Sequence, residues 1–376
     1  MLVNSLHTFP KELQVIFKSI YNILNIDLID SVILVGSASR GELSFVKKDN
    51  LIVRSDIEFY VVTEYINDVK SIVEPKIRDL EVKYNNKWPE FHIDIAYLTS
   101  YQFTNLKPWI RHFELIENGK VLFGSNIIER ITKVTTRNLD YCELNEIVLW
   151  RMLALLSRFP IQILDKSRDI PLNFGFALAR NILDLTTWLL PGKGVLIANY
   201  KDRVDFWNNH LDKETRKSFS FINDTVFSEC IECRKKADLD LDLNELLNST
   251  IKAWLFVYDV TQGKINFSHA GLSKGFRTVS FLKLVRGIYR IRCMPYTIQV
   301  NMIRIGPMNL FAEISKNLLK CIENWKERKV YLDKLKILTG INFTNNDVSN
   351  WSKCRKLLMR LVDIYLASND WERYID

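Results

Sequence analysis

The sequence has little of what marks a disulfide-stabilised, membrane-spanning or zinc-bound protein. Its 376 residues include only six cysteines and five histidines. Six cysteines dispersed along a chain of this length form no disulfide framework. The most apolar stretch, residues 182–198, is interrupted by Asp184, Pro191, Gly192 and Lys193. No segment therefore reaches the ~18 uninterrupted apolar residues that a membrane span requires.

The sequence also lacks signals for export and for a zinc site. Its first residues, MLVNSLHTFPKELQ, contain no basic segment followed by an apolar core, so we expect no signal peptide. Together with the sparse cysteines, this favours the reducing cytoplasm. The pair Cys230 and Cys233 has neither a second C-x-x-C pair nor two histidines at matching spacing. We predict two free cysteines on a helix.

Charge is unevenly distributed along the chain. A composition of 47% hydrophobic and 26% charged residues is typical of a globular protein, and the net charge of +8 suggests an anionic partner. Much of the basic excess follows residue 270. A nucleic-acid or oligonucleotide surface and a set of solvated helix faces both agree with this distribution. The basic residues after position 270 include Lys274, Arg277, Lys283, Arg286, Arg290, Arg292, Lys326, Arg328, Lys329, Lys334, Lys336, Lys353, Arg355, Lys356 and Arg360.

Two predicted strands near the beginning of the chain carry polar residues at their ends. The apolar run 32–35 predicts a short buried strand that ends at the turn Gly36-Ser37. A second strand is predicted over 57–62, with Asp56 before it and Glu58 two residues further on. Because side chains of a strand alternate between faces, we expect these two acids to project from the same face.

A third predicted strand, residues 91–98, carries Asp94 within an apolar run. A buried carboxylate is costly unless it is paired or binds a cation. Three acids on one face of a sheet would therefore require a divalent metal. Hard oxygen ligands with room for substrate phosphates are suited to Mg²⁺.

In order, these residues carry a family resemblance. The turn Gly36-Ser37, then Asp56-x-Glu58, then a separate strand with Asp94, resembles the signature of the DNA polymerase β-type nucleotidyltransferase superfamily. The most similar members are the small template-independent enzymes, including minimal nucleotidyltransferases, antibiotic nucleotidyltransferases and bacterial cyclic-oligonucleotide synthases. The alternative is a set of ordinary strand-edge acids beside a loop; the order and strand context of the three elements favour the family.

The resemblance implies a role for each of these residues. Gly36 and Ser37 would hold the phosphates of a nucleoside triphosphate, as backbone N–H groups at a helix start can. Asp56 and Glu58 would bind two metal ions, Mg²⁺ or Mn²⁺, and Asp94 would bind the catalytic one. Such a pair of ions supports in-line displacement at phosphorus. We further expect Asp94 to take the proton of the acceptor hydroxyl.

The chain departs from the family pattern at two points. Eighteen residues, 38–55, separate Ser37 from Asp56, which is longer than usual and implies an inserted loop around residues 45–54. The second acid is Glu58, where aspartate is commoner, although glutamate still offers a carboxylate.

Two basic residues are further candidates for binding the nucleotide, and a third needs an anionic partner. Arg40 should lie about one turn along the helix after Gly36-Ser37, near the triphosphate; its alternative is a surface arginine. Lys201 follows a predicted helical hairpin, in a segment that resembles the one by which helical domains of these enzymes reach the triphosphate. A helix N-terminal surface position is its alternative. Arg180 lies in an apolar helix and needs an anionic partner, either Asp184 or substrate.

The remainder of the chain is predicted to be helical. A broadly apolar helix over 145–159 should lie inside a bundle, and the acidic run 237–247 should lead into a helix. A metal role for Asp238, Asp240 and Asp242 is the alternative for that run. The predicted fold is α+β: a catalytic domain with a mixed sheet and flanking helices over 1–132, a helical bundle over 133–262, and a basic, mostly helical region over 263–376.

The predicted function is metal-dependent transfer of a nucleoside monophosphate from an NTP to an acceptor hydroxyl, without a template, with release of pyrophosphate. The acceptor, a nucleotide, nucleic acid, protein or small molecule, stays open, as do the base preference and the oligomeric state. An oligonucleotide signal in antiphage defence is one product that the resemblance allows. The alternatives are a protein- or small-molecule-modifying, toxin-like nucleotidyltransferase and a catalytically dead module that binds nucleotide or nucleic acid.

Overall fold

The computed structural model describes residues 9–47, 51–53, 55–85, 88, 91–165, 170–223, 225–236, 242–265, 272, 275–276, 294–341 and 347–366. Its strands are β1 (Ser31–Val35), β2 (Phe45–Lys47), β3 (Leu51–Val53), β4 (Ile57–Val62), β5 (Ile93–Leu98) and β6 (Lys120–Gly124). Its first helices are α1 (Lys11–Leu24), α2 (Gly36–Ser39), α3 (Ile66–Asn85), α4 (Ser100–Thr104) and α5 (Ile110–Asn118). All of these lie within the predicted catalytic domain.

The described chain after residue 132 contains no strand, and its α-helices run to the end of the described part. They are α6 (Tyr141–Arg158), α7 (Leu172–Gly192), α8 (Tyr200–His210), α9 (Lys213–Ser218), α10 (Val226–Lys236), α11 (Leu243–Thr261), α12 (Tyr296–Ile305), α13 (Pro307–Glu323), α14 (Arg328–Thr339) and α15 (Asp347–Leu366). The predicted α+β class, with a small sheet followed by helices, is confirmed.

The sheet is mixed and has the strand order β5-β4-β1-β6. β1 pairs antiparallel with β4 and β6, whereas β4 and β5 run parallel. Apolar side chains pack on both faces of the sheet. On one face, α1 buries Leu13, Phe17 and Ile20, which recur at steps of four and three residues as in an amphipathic helix. Helix α3 continues through Pro75.

The predicted insertion forms a second, two-stranded sheet. β2 and β3 pair antiparallel, and β2 packs against α10. At the base of this hairpin, the Ser44 hydroxyl donates a hydrogen bond to the Arg234 carbonyl at 3.0 Å. The insertion therefore connects the sheet with the helical region.

One hydrophobic core runs through the helical region. α7 packs against α6, α10 and α11, and α13 packs against α6 and α11. Buried residues from Ile110 to Val362 belong to this cluster, so helices on both sides of residue 262 share it. Residues 145–159 lie in α6, which buries Val148, Met152 and Leu156, in agreement with the predicted internal helix.

Several sequence features are accounted for by the helices. Cys230 and Cys233 are buried on α10 and take part in no disulfide among the described residues, as predicted. The Asp242 side chain accepts hydrogen bonds from the backbone N–H groups of residues 244 and 245 and so caps α11. Asp238 and Asp240 lie outside the described residues, as do the basic positions 274, 277, 283, 286, 290 and 292. No helix in the described part of the chain is both long and apolar enough to cross a bilayer.

Candidate functional site

The strand register brings the predicted acids to one place. Glu58 on β4 pairs with Val35 on β1 and with Asp94 on β5. Asp56 lies just before β4, two residues from Glu58. Residues paired across adjacent strands project from the same face of a sheet, so the two strand carboxylates are neighbours.

Gly36 follows Val35 directly and lies against Glu58. Its φ is +65°, a conformation that L side chains rarely adopt, and a Cβ built on it would lie 1.5 Å from the Glu58 Oε2. The chain therefore turns from β1 into α2 with its backbone touching the carboxylate. Only glycine fits this approach, which explains why a glycine stands at this position.

The acids repel one another. The pKa of Glu58 is raised, mainly by burial and further by the charges of Asp56 and Asp94, while Arg180 and Arg40 act to lower it. A bound cation would relieve the repulsion.

The donor set fits a hard divalent cation in its chemistry, since three carboxylates at the edge of a polar cavity are ligands that Mg²⁺ and Mn²⁺ take. In the present side-chain conformations the three carboxylates do not form a metal site. Among the described residues, no group of three or more His, Cys, Asp or Glu side chains is arranged to hold a metal. Ion binding would require rotation of these carboxylates.

A cavity of about 430 Å³ lies between the sheet and the helical region, within the range of ligand sites. From the sheet side it is lined by Gly36, Glu58 and Asp94, and from the helical side by Arg151 and Arg180. A smaller adjoining cavity is lined by Ser37, Arg40, Ser55, Asp56, Glu58, Arg180, Tyr200 and Arg234. The site is therefore built by both parts of the chain.

Two arginines of the helical region line the cavities with the acids, and each has an N–H group without a hydrogen-bond partner among the described residues. The Arg180 guanidinium on α7 has no hydrogen-bond partner at Nε, and the Arg234 guanidinium on α10 has none at Nη1, among the described residues. Burial acts to lower the pKa of Arg180, but Tyr200, Asp184 and the sheet acids raise it above its usual value. A buried guanidinium with free donors requires an anion.

Tyr200, the first residue of α8, organises the helical wall of the site. Its ring lies 5.1 Å from the Arg234 guanidinium carbon and 5.5 Å from that of Arg203. Its hydroxyl donates a hydrogen bond to Asp184, which also pairs with Arg151 at 2.6 Å. Burial and Asp184 raise the pKa of Tyr200 to about 12, so the hydroxyl remains a donor at neutral pH.

Arg40, predicted to bind nucleotide, is engaged in ion pairs. Its Nε and Nη1 lie 2.8 Å from carboxylate oxygens of Glu42 and Glu114. Glu114 on α5 also accepts from the buried Arg203 at 2.5 Å. The Glu42 carboxylate accepts from the Tyr200 backbone N–H, also at 2.5 Å. Arg40 thus connects the turn after β1 to α8.

The structure brings most of the predicted site residues together, with one exception. Gly36, Ser37 and Arg40 line one or both cavities with the three acids. Lys201 is exposed and does not belong to the residues that line them. Its neighbour Tyr200 does, because the Asn199 cap and the first turn of α8 direct residue 200 inward.

Sequence reasoning missed Tyr200, Arg234 and Glu143 as lining residues. Glu143 lies on α6 and accepts a hydrogen bond from the Ile110 N–H at 3.3 Å. Burial raises the pKa of its carboxyl to about 7, against the lowering influence of Arg111. A buried charge within a helical pattern is the only signal that the sequence offers for such residues, and it is the signal that pointed to Arg180.

Comparisons of the chain with protein-family models, with curated proteins and with solved structures find no match.

Proposed function

We propose that this chain is a metal-dependent nucleotidyltransferase that transfers a nucleoside monophosphate from an NTP to an acceptor hydroxyl. The observation that carries the proposal is the pairing of Glu58 with Asp94 beside Gly36, opposite the unpartnered donor of Arg180. Carboxylates for cations and guanidiniums for phosphates face each other across one cavity. A metal–triphosphate complex carries both complementary charges.

Asp56, Glu58 and Asp94 would hold the divalent ions. Bound there, the ions would supply Lewis-acid stabilisation of the charge that develops on phosphate oxygens. Their binding should be measurable without turnover, since a ligand that binds only the folded state raises the melting temperature. We expect Mn²⁺ to stabilise the protein and the double variant Asp56→Asn, Glu58→Gln to lose that effect.

The chain's own groups would position the reactants. Arg180 and Arg234 would bind phosphate oxygens through their free donors. The Tyr200 ring would support the Arg234 guanidinium, and the Tyr200 hydroxyl would hold Asp184 in place. Asp94 would accept the proton of the acceptor hydroxyl as its oxygen forms a bond to the α-phosphorus. The bond from that phosphorus to pyrophosphate breaks in the same displacement, and pyrophosphate leaves.

The test is incubation of the purified protein with each NTP and dNTP, in Mg²⁺ and in Mn²⁺, followed by mass spectrometry of small molecules and of the intact protein. Pyrophosphate release that requires Asp56 and Glu58 is the expected result. A new oligonucleotide would identify a signal or polymer synthase, whereas added nucleotide mass on the protein would identify protein modification. Asp94→Asn should abolish turnover and retain nucleotide binding in calorimetry.

A nucleotide-binding protein without catalysis is the second candidate, favoured by the absence of a ready three-ligand metal group among the described residues. It predicts nucleotide binding that needs Arg180 but survives Asp56→Asn, with no turnover on any acceptor. A calorimetric titration with a non-hydrolysable NTP analogue separates the candidates.

Comparing the variants Arg180→Met and Arg151→Met tests whether Arg180 binds phosphate. Arg151 neutralises the buried Asp184, so its loss should lower the free energy of unfolding by about 2 kcal/mol. Arg180 makes no described ion pair, so its loss should change stability less while lowering nucleotide affinity at least ~10-fold. Unchanged nucleotide affinity in Arg180→Met would contradict the proposed phosphate site.

A further inference from the structure

Helices α12 and α14 lie side by side on α13, far along the chain from the acid cluster. Both contact α13 and each other. The Asn301 side chain donates to the carbonyls of Ile337 and Leu338 at 3.4 and 3.0 Å. Gly340, which ends α14 with φ +73°, lies against Thr297. The two helices therefore form one continuous surface.

Each helix buries one face and exposes an apolar one. α12 buries Ile298 and Met302, and α14 buries Leu332 and Leu335. The opposite faces expose large hydrophobic side chains at spacings of four, three and seven residues, which place them in a stripe on each helix. We call these residues the α12–α14 face: Tyr296, Val300, Ile303, Val330 and Ile337.

This concentration is unusual for the molecule. The described residues contain ten exposed large hydrophobic side chains, and five of them belong to the α12–α14 face. Ile337 is 68% exposed and Ile303 is 61% exposed. Clustered exposed hydrophobic residues, unlike scattered ones, mark an interaction surface.

Basic side chains surround the apolar stripes. Arg304, Lys329, Lys334 and Lys336 are exposed, and none makes an ion pair with another described residue. Asp333 is the single acidic residue on α12 and α14. The surface therefore has an apolar centre and positive charges without counter-ions among the described residues.

The residue types of the α12–α14 face favour a lipid surface over a protein or a single-stranded nucleic acid as the anionic partner. Protein interfaces are depleted in lysine and depend on Trp, Tyr and Arg, of which the apolar stripes contain only Tyr296. Single-stranded nucleic acid binds through stacking on aromatic rings, which β-branched Val and Ile cannot provide. Aliphatic side chains flanked by lysines, which extend their charge toward headgroups, suit the surface of a lipid bilayer.

We propose that the α12–α14 face docks the protein on an anionic lipid surface. Val300, Ile303, Val330 and Ile337 enter the boundary between headgroups and acyl chains, and the lysines meet lipid phosphates. Tyr296, with an apolar ring and a polar hydroxyl, lies at the interface level. Docking requires no membrane-spanning helix and does not depend on the proposed catalytic activity.

The test is sedimentation of the full chain with vesicles of phosphatidylcholine alone or with about 40 mol% phosphatidylglycerol, which gives the vesicles a negative surface potential. We expect binding to the anionic vesicles that weakens with salt. Ile303→Ser with Ile337→Ser, and separately Lys334→Glu with Lys336→Glu, should each lower the partition coefficient at least ~10-fold.

The control variants alter exposed residues on α3: Ile72→Ser with Val82→Ser, and Lys76→Glu with Lys83→Glu. They should bind vesicles as the wild type does, and all variants should keep the wild-type circular dichroism spectrum. Absence of wild-type binding to anionic vesicles overturns the proposal. So does equal loss in the α3 controls, or a fluorescent single-stranded oligonucleotide that binds through the same residues while vesicles do not.

Discussion

At the scale of single residues, the candidate site depends on a glycine that touches a carboxylate. Gly36 combines a positive φ with a contact that leaves no room for Cβ. Gly41, five residues later, has φ +74°, and a Cβ added there would lie within 4 Å of no other described residue. Substitution at Gly41 therefore tests backbone strain alone, whereas substitution at Gly36 tests backbone strain together with steric contact with Glu58.

We expect Gly36→Ala to be more damaging than Gly41→Ala. Both carry the cost of a positive φ, about 1 kcal/mol, but only the first displaces the Glu58 carboxylate. Chemical denaturation should give a larger loss of unfolding free energy for Gly36→Ala, and nucleotide binding should be lost in that variant alone. Equal losses in both variants would argue against a functional contact between Gly36 and Glu58.

Glu143 makes the free energy of unfolding depend on pH. Its pKa is raised from 4.5 to about 7 by burial, so the folded state holds the proton more tightly than the unfolded state. Its contribution to stability is complete below pH 4.5 and is lost as the pH rises toward 7. Burial lowers the pKa of His112 from 6.5 to about 3. The contribution of His112 to stability is therefore complete above pH 6.5 and is lost as the pH falls toward 3.

The Glu143→Gln variant isolates this effect, because glutamine can still accept the hydrogen bond from Ile110 and cannot ionise. Between pH 5 and pH 8, its melting temperature should rise relative to that of the wild type, corresponding to at most ~3 kcal/mol. Thermal unfolding across this pH range is the measurement. Parallel curves for the two proteins would show that the carboxyl does not titrate there.

At the scale of elements, buried charges connect the sheet with the helices. Glu114 on α5 bridges Arg40, which follows α2, and Arg203 on α8. The Arg203 side chain is 2% exposed and also donates to the Ile197 carbonyl and the Thr187 hydroxyl. Removing the shared charge would leave the buried Arg203 guanidinium without a carboxylate partner among the described residues and Arg40 with Glu42 alone.

We therefore expect Glu114→Gln to lower the free energy of unfolding by about 3 kcal/mol, the usual cost of breaking a buried ion pair. Glu117→Gln, on the exposed side of the same helix, should change it by less than ~0.5 kcal/mol. Urea denaturation of the two variants measures the difference. Similar changes in the free energy of unfolding for both variants would mean that solvent screens the ion pairs of Glu114 with Arg40 and Arg203.

At the scale of the whole molecule, the helices on both sides of residue 262 are held by one core. α13 contributes Leu310, Phe311, Ile314 and Leu318 to the cluster that covers α6 and α11. Without α13, these apolar faces would meet water. Burial of a single large aliphatic or aromatic side chain stabilises a fold by about 1.5–3 kcal/mol, and proteins are only marginally stable.

A chain ended after residue 262 should accordingly fail to form a native core. We expect aggregation or an expanded state with weak near-ultraviolet circular dichroism, measured beside the full chain by size-exclusion chromatography with light scattering. A monomeric fragment that unfolds cooperatively would show that residues 133–262 are stable without the C-terminal helices.

Much of the local structure followed from the sequence. The strands containing Val35, Glu58 and Asp94, the turn at Gly36 and the internal helix α6 were predicted, because hydrophobic periodicity and turn residues act over a few neighbouring positions. The sequence also identified Arg180 as a buried charge in need of an anion. Its partner could not be chosen, because Asp184 and substrate were both compatible with one helical pattern.

What the amino-acid sequence determined by itself is the set of elements and the chemical types in the site: acids on strands, a Gly-Ser turn and helices that carry buried charge. Only the tertiary structure decided that Glu58 and Asp94 pair in register, that Tyr200 and not Lys201 faces the cavity, and that Arg40 is neutralised by Glu114. Those outcomes depend on strand order and helix docking. Both are set by contacts between residues far apart in the chain, which local patterns do not encode.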